Sequence, residues 1–156
     1  MNTLKAGDKV ADFTLLDQNN HPVNLYTCLK NGPVLVYFYP KAQTPGCTVQ
    51  ACGLRDSKAE LDVHKVTVLG ISPDPSAKLA KFTDKQALNF TLLSDEDHAI
   101  ADSFGVWGEK KFMGKIYDGI HRLSFLINTD ATVGYVFDKF KTKDHHQVVL
   151  AQLAKK

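Results

Sequence analysis

The chain has 156 residues, of which 44% are hydrophobic and 23% charged, proportions that exclude disordered, collagen-like and disulfide-scaffold classes. This length suits a single domain, read here as residues 1–156, with one sizeable core. Lys and Arg number 19 against 17 Asp and Glu, a net charge of +2; with both signs interspersed, charge nominates neither nucleic acid nor an anionic membrane as partner.

Met1–Val10 carries Lys5, Asp8 and Lys9 where a signal peptide needs an apolar core, and the longest apolar run, Val34–Tyr39, is far short of the ~20 residues that span a bilayer. A cytoplasmic protein is expected. The runs Asp12–Leu16 and Pro22–Leu25, separated by Asn19-Asn20, predict an N-terminal β-hairpin. Val34–Tyr39 reads as a strand buried on both faces. Further strands are expected at Val66–Ile71, Phe90–Leu93, Arg122–Ile127 and Thr132–Phe137, the last two as an antiparallel hairpin. Helices are expected at Pro45–His64, Ser76–Ala87, Asp97–Phe104 and from about Asp144 onward, with Val149, Leu150 and Leu153 on one face. Strand and helix alternate before a closing hairpin and helix, the order of an α/β thioredoxin-like fold with a mixed central sheet flanked by helices.

Chemistry concentrates in Tyr39–Cys52, which joins the most buried strand to the first long helix, where open α/β sheets place their ligands. Thr44 is a good N-cap and Pro45 suits the first helical position, so a helix starts here with Cys47 in its first turn. Unpaired N–H groups and the positive end of the helix dipole then face the sulfur. Taking a thiol from a reference value of ~8.5 to ~6, where it is mostly ionised at neutral pH, needs ~3.4 kcal/mol. The dipole supplies at most ~2 kcal/mol. A nearby cation is required.

Three cysteines cannot form a disulfide framework, but two that lie close in sequence invite a metal or redox reading. On an ideal helix Cys47 and Cys52 have Cα atoms ~8.6 Å apart, whereas a disulfide needs less than ~7 Å. Joining them requires the first turns to unwind. Gly53, costing a helix interior ~1 kcal/mol relative to Ala, eases that unwinding, and Gly53→Ala is expected to raise sensitivity to overoxidation. The C-x4-C spacing is neither the C-x-x-C of dithiol exchange nor part of a zinc pattern.

These residues resemble the peroxiredoxins, specifically the bacterioferritin comigratory protein or Q-type subgroup. The resemblance rests on Pro40-x-x-x-Thr44-x-x-Cys47 with Cys52 at the subgroup's resolving spacing, and extends through Gly105-Val106-Trp107-Gly108 and His121–Ile127. It implies a cysteine-based peroxidase reducing hydrogen peroxide and organic hydroperoxides. In this pattern Cys47 is the peroxidatic thiolate and Arg122 the cation required above. Thr44 bonds thiolate and peroxide, and Pro40 shields the pocket from water. Cys52 resolves the sulfenic acid as an intramolecular disulfide. A dithiol protein, thioredoxin or else glutaredoxin, recycles it. No metal, haem or flavin is implied, and resolution within one subunit suits a monomer. Two other readings stay open: a Cys–His hydrolase pairing Cys47 with His121, and a non-catalytic redox sensor whose disulfide switches a partner.

Elsewhere the residues have ordinary readings. Cys28 is passive, and His145-His146 belong to the surface or a helix cap. The acids of Ser94–His98 complement a helix start. Gly108–Ile116 lacks the spacing and the Ser/Thr of a phosphate loop and reads as a surface loop. Trp107 reads as packing.

Overall fold

Val34 to Phe38 is apolar at each position and each side chain is buried, as a strand enclosed on both faces requires. The computed structural model describes residues 1–155. In chain order the elements are β1 (Thr14–Asp17), β2 (Pro22–Asn24), α1 (Leu25–Leu29), β3 (Val34–Phe38), α2 (Pro45–Asp56), α3 (Lys58–Val63), β4 (Thr67–Ser72), α4 (Ser76–Gln86), β5 (Thr91–Ser94), α5 (Ala99–Phe104), β6 (Trp107–Phe112), β7 (Lys115–Ile120), β8 (Ser124–Ile127), β9 (Val133–Phe137) and α6 (His145–Leu153). A mixed sheet of seven strands runs in the order β2-β1-β5-β4-β3-β8-β9. Among the described residues no helix is long and apolar enough to cross a membrane.

Alternation along β3 divides the core. Leu35 and Tyr37 face Ala51 and Leu54 of α2, Leu79 and Phe82 of α4, and Val149 and Leu153 of α6. Val34, Val36 and Phe38 face Leu25 and Leu29 of α1 and Ala101 and Phe104 of α5. Helices thus cover both faces of the sheet. β3 lies parallel to β4 and antiparallel to β8, with Val34 opposite Ile127 and Tyr37 opposite Ser124. This register brings the start of β8 beside the end of β3.

The N-terminal hairpin forms as expected, but its second strand stops at Asn24, whose side chain accepts from the Thr27 amide and caps α1. The helix expected over Pro45–His64 is two helices, broken at Ser57, whose amide turns to Leu54 O at 3.1 Å. The Arg55 carbonyl next to the break accepts from the Asn89 side chain at 3.1 Å, so the interruption leaves this backbone acceptor satisfied. The Ser94–His98 acids do cap a helix: the buried Asp95 carboxylate takes the Ile100 and Ala101 amides at 3.1 and 2.9 Å. Gly108–Ile116, read as a loop, lies instead in an antiparallel ribbon, β6 with β7, turning at Met113-Gly114. Most of its side chains are exposed on both faces, so the sequence carries no alternation to reveal it.

His145 also departs from expectation: it is fully buried, its Nε2 lies 2.7 Å from Ser124 Oγ, and its ring packs against Phe140 and Tyr37. Burial pushes its titration from 6.5 down to about 3. The folded protein therefore holds it neutral where an unfolded chain is protonated, and between those two values stability is lost as pH falls. Urea midpoints are expected to drop between pH 7 and pH 4. In Ser124→Ala/His145→Leu, where both polar partners become apolar, that part of the drop disappears; a double variant that tracks the wild type over this range removes His145 as its source.

Candidate active site

The loop from β3 to α2 is held by buried polar contacts. The Tyr39 amide donates to Ile71 O at 3.1 Å, and the Ala42 amide donates to the Asp74 carboxylate at 2.7 Å, which also accepts from Ser72 Oγ at 2.8 Å. Asp74 is a positioning residue that sequence reasoning passed over; its signal is an acid between two prolines at a strand end. Half-buried Pro40 lies in this loop. Thr44 occupies the N-cap with extended backbone and Pro45 follows as the first helical residue, so Cys47 sits in the first turn as the sequence predicts. The Thr44 hydroxyl, however, does not cap: it donates to Lys41 O at 3.0 Å, and no bond joins it to Cys47.

Cys47 is 2% exposed. Arg122, carried to the site by the segment that leads into β8, donates from Nη2 to Cys47 Sγ at 3.2 Å and from Nη1 to Gln50 Oε1 at 3.0 Å. The required cation is thus in hydrogen-bonding contact with the sulfur, and among the described residues no carboxylate forms a salt bridge with it. A Cβ on Gly46 would stand 3.2 Å from Nη2, so the glycine admits the guanidinium against the first turn. Gln50, 1% exposed, holds the other guanidinium nitrogen and was missed from the sequence. Its signal is a polar residue one turn after Cys47 on the buried stripe completed by Ala51 and Leu54. Tyr37 and Tyr39 stack behind the site with centroids 5.4 Å apart, and burial pushes both phenols well up. They remain neutral and add no competing negative charge. A cation and a helix N-terminus meeting at one sulfur form an environment that stabilises a thiolate and an anionic transition state.

Cys52 is half-buried farther along the same unbroken helix, its Sγ 3.6 Å from Gln86 Oε1. All three cysteines are free. Gly53 has a role beyond helix propensity: a Cβ there would overlap Nδ1 of His146 on α6. Gly53→Ala therefore disturbs the packing of α2 on α6 while favouring the helix, and cannot isolate the second effect. Cys28 packs with the opposite face of the sheet, and burial pushes its thiol up, which suits a passive role. His121 Nε2 lies 3.0 Å from Glu109 O on β6, and the side-chain hydrogen bond to Cys47 comes from Arg122.

Residues 6–136 match the AhpC/TSA family. The chain is 62% identical over 153 residues to the putative peroxiredoxin bcp of Haemophilus influenzae, covering 98% of each, and 63% identical over 150 residues to peroxiredoxin Bcp of Escherichia coli, covering 96% of each. Among solved structures it superimposes on peroxidoxin BcpB of Mycobacterium tuberculosis with a TM-score of 0.87 at 40% identity, covering 97% of both chains. With the bacterioferritin comigratory protein of Xanthomonas campestris the TM-score is 0.85 at 31% identity, covering 92% and 90%. The expected thioredoxin-like architecture is theirs as well as this chain's. A cysteine held against an arginine at a helix start, on this fold and with these relatives, belongs to a thiol peroxidase: the chain is a member of the AhpC/TSA family, a peroxiredoxin of the Bcp/PrxQ kind.

Proposed function

We propose that this peroxiredoxin works through Cys47 as the attacking thiolate and Cys52 as the resolving thiol. The observation that carries this reading is the 3.2 Å contact between Arg122 Nη2 and Cys47 Sγ at the start of α2. The Cys47 thiolate attacks the terminal oxygen of a hydroperoxide; an S–O bond forms, the O–O bond breaks, and the departing oxygen takes a proton and leaves as water or an alcohol. Arg122 stabilises the negative charge as it moves from sulfur to the leaving oxygen, and Gln50 fixes the guanidinium plane. The Thr44 hydroxyl, rotating off the Lys41 carbonyl, bonds sulfur and peroxide; Pro40 limits water at the entrance.

The Cys47 sulfenic acid then condenses with Cys52. A sulfur–sulfur bond forms, the S–OH bond breaks, and water leaves. A dithiol protein, thioredoxin or else glutaredoxin, reopens the disulfide by exchange. Both redox cysteines lie on one chain, which suits a monomer in the cytoplasm, and the reaction needs no metal or organic cofactor. Organic hydroperoxides belong to the substrate range, in keeping with the alkyl peroxide reduction described for the Xanthomonas campestris relative.

In a thioredoxin-coupled assay Cys47→Ser is expected to be inactive, whereas Cys52→Ser consumes about one equivalent of peroxide and stops. A Cys47→Ser variant that turns over peroxide at the wild-type rate overturns the assignment. Catalytic NADPH consumption by the wild type also separates a peroxidase from a redox sensor. The charged contact at the sulfur carries a second prediction. Arg122→Met should slow the first step ~10–100-fold, the worth of a charge-assisted hydrogen bond. Gln50→Leu, which removes a bond to Arg122 and not to sulfur, should slow it about five-fold. Stopped-flow oxidation under single-turnover conditions measures both, and equal losses in the two variants would contradict the division of roles.

A further inference from the structure

Resolution poses a geometric difficulty that the contacts around the second half of α2 make specific. On the intact helix Cys52 cannot reach Cys47, because an ideal helix holds their Cα atoms ~8.6 Å apart. That second half is bound to the end of α4. The Cys52 S–H donates to Gln86 Oε1 at 3.6 Å. Arg55 Nη1 donates to the Gln86 carbonyl at 2.7 Å, and the Asn89 side chain donates to the Arg55 carbonyl at 3.1 Å. Gln86 is the last residue of α4, so its carbonyl is one of the acceptors left without a helical partner, at the negative end of the dipole. A guanidinium satisfies both needs.

Arg55 also meets Asp56 at 2.9 Å, but that pair is exposed and contributes little. On the other side α2 packs on α6 through Gly53 and His146, whose Nδ1 has no hydrogen-bond partner. Polar restraint of this half therefore comes from the α4 side.

Oxidation of Cys47 changes only the first turn. Forming the sulfenic acid removes the negative charge that draws Arg122, but none of the contacts at Cys52, Arg55 and Gln86 includes an atom of Cys47. The first step consequently does not release the segment that the second step must move.

Building on the reading that Cys52 resolves Cys47, we propose that Arg55 and Gln86 are positioning residues of the resolving step: they clamp Cys52 to the end of α4, and opening this clamp governs how fast the Cys47–Cys52 disulfide forms. The clamp is sensitive to the state of Cys52, since the bond to Gln86 uses the S–H proton and vanishes once that sulfur enters a disulfide. Because opening precedes attack, loss of a bond present only in the closed form raises the open population and with it the rate of resolution.

The test is a single turnover with stoichiometric peroxide, quenched by thiol alkylation and read by mass spectrometry. Wild type is compared with Gln86→Leu and Arg55→Leu. Resolution is expected to accelerate about five-fold in each, and at high peroxide the share of Cys47 reaching sulfinic acid should fall to match. Arg55→Lys, which keeps a cation able to reach the Gln86 carbonyl, should return toward the wild-type partition. A control in the N-terminal hairpin, Val23→Ala, separates general loosening, because it destabilises far from α2 and should leave the partition between disulfide and sulfinic acid unchanged. Resolution at the wild-type rate or slower in both clamp variants overturns the proposal, as does a Val23→Ala control that accelerates equally. A wild type that forms no Cys47–Cys52 disulfide overturns the assignment of Cys52, and the clamp with it.

Discussion

The site depends on one contact, a guanidinium against a sulfur 75 residues away in the chain. A helix start alone leaves a thiol short of the stabilisation it needs to ionise at neutral pH. The sheet adds a cation at the sulfur by bringing Arg122 across. β8 pairs antiparallel with β3, and the Phe38 amide extends that ladder to Leu123 O at 3.0 Å. The segment carrying Arg122 is therefore fixed beside the strand end that leads into α2. Most of the ordering entropy of the contact is borne by the ladder and the two apolar clusters, so a single exposed-to-buried ion contact does not have to offset it.

Several residues serve this arrangement and not the core as such. Asp74 holds the Ala42 amide and so the approach to the helix; Gln50 occupies the second guanidinium nitrogen; Gly46 leaves room for the first. Each is a restraint on geometry near the sulfur, where an error of an ångström weakens a charged hydrogen bond steeply. The neutral tyrosines behind the site make the same point by their silence, since an ionised phenol there would oppose a thiolate.

Two demands on α2 conflict. In the proposed mechanism, ionising Cys47 needs the first turn wound, with its free amides aimed at the sulfur, whereas joining Cys47 to Cys52 needs the helix opened. The contacts around the helix fall into two groups: Arg122 meets Cys47 and Gln50 in its first half, and α4 and α6 meet its second. The break at Ser57 gives the second half an end of its own.

Residue types and local spacing alone determined the helix start at Thr44-Pro45, the place of Cys47 in its first turn, the buried strand before it, and the need for a positive charge, because capping, proline geometry and apolar runs act within a few residues. The resemblance named Arg122 as that charge. Gln50 and Asp74 leave local signals that do not name their roles, since each is defined by a partner 72 or 32 residues away. Nor was the β6–β7 ribbon, which buries too little to leave a pattern. Only the tertiary structure decided that His145 is in the core, that Gly53 makes room for a neighbouring helix, and that the end of α4 restrains Cys52. Those properties depend on which surfaces are pressed together, and local spacing does not encode that choice.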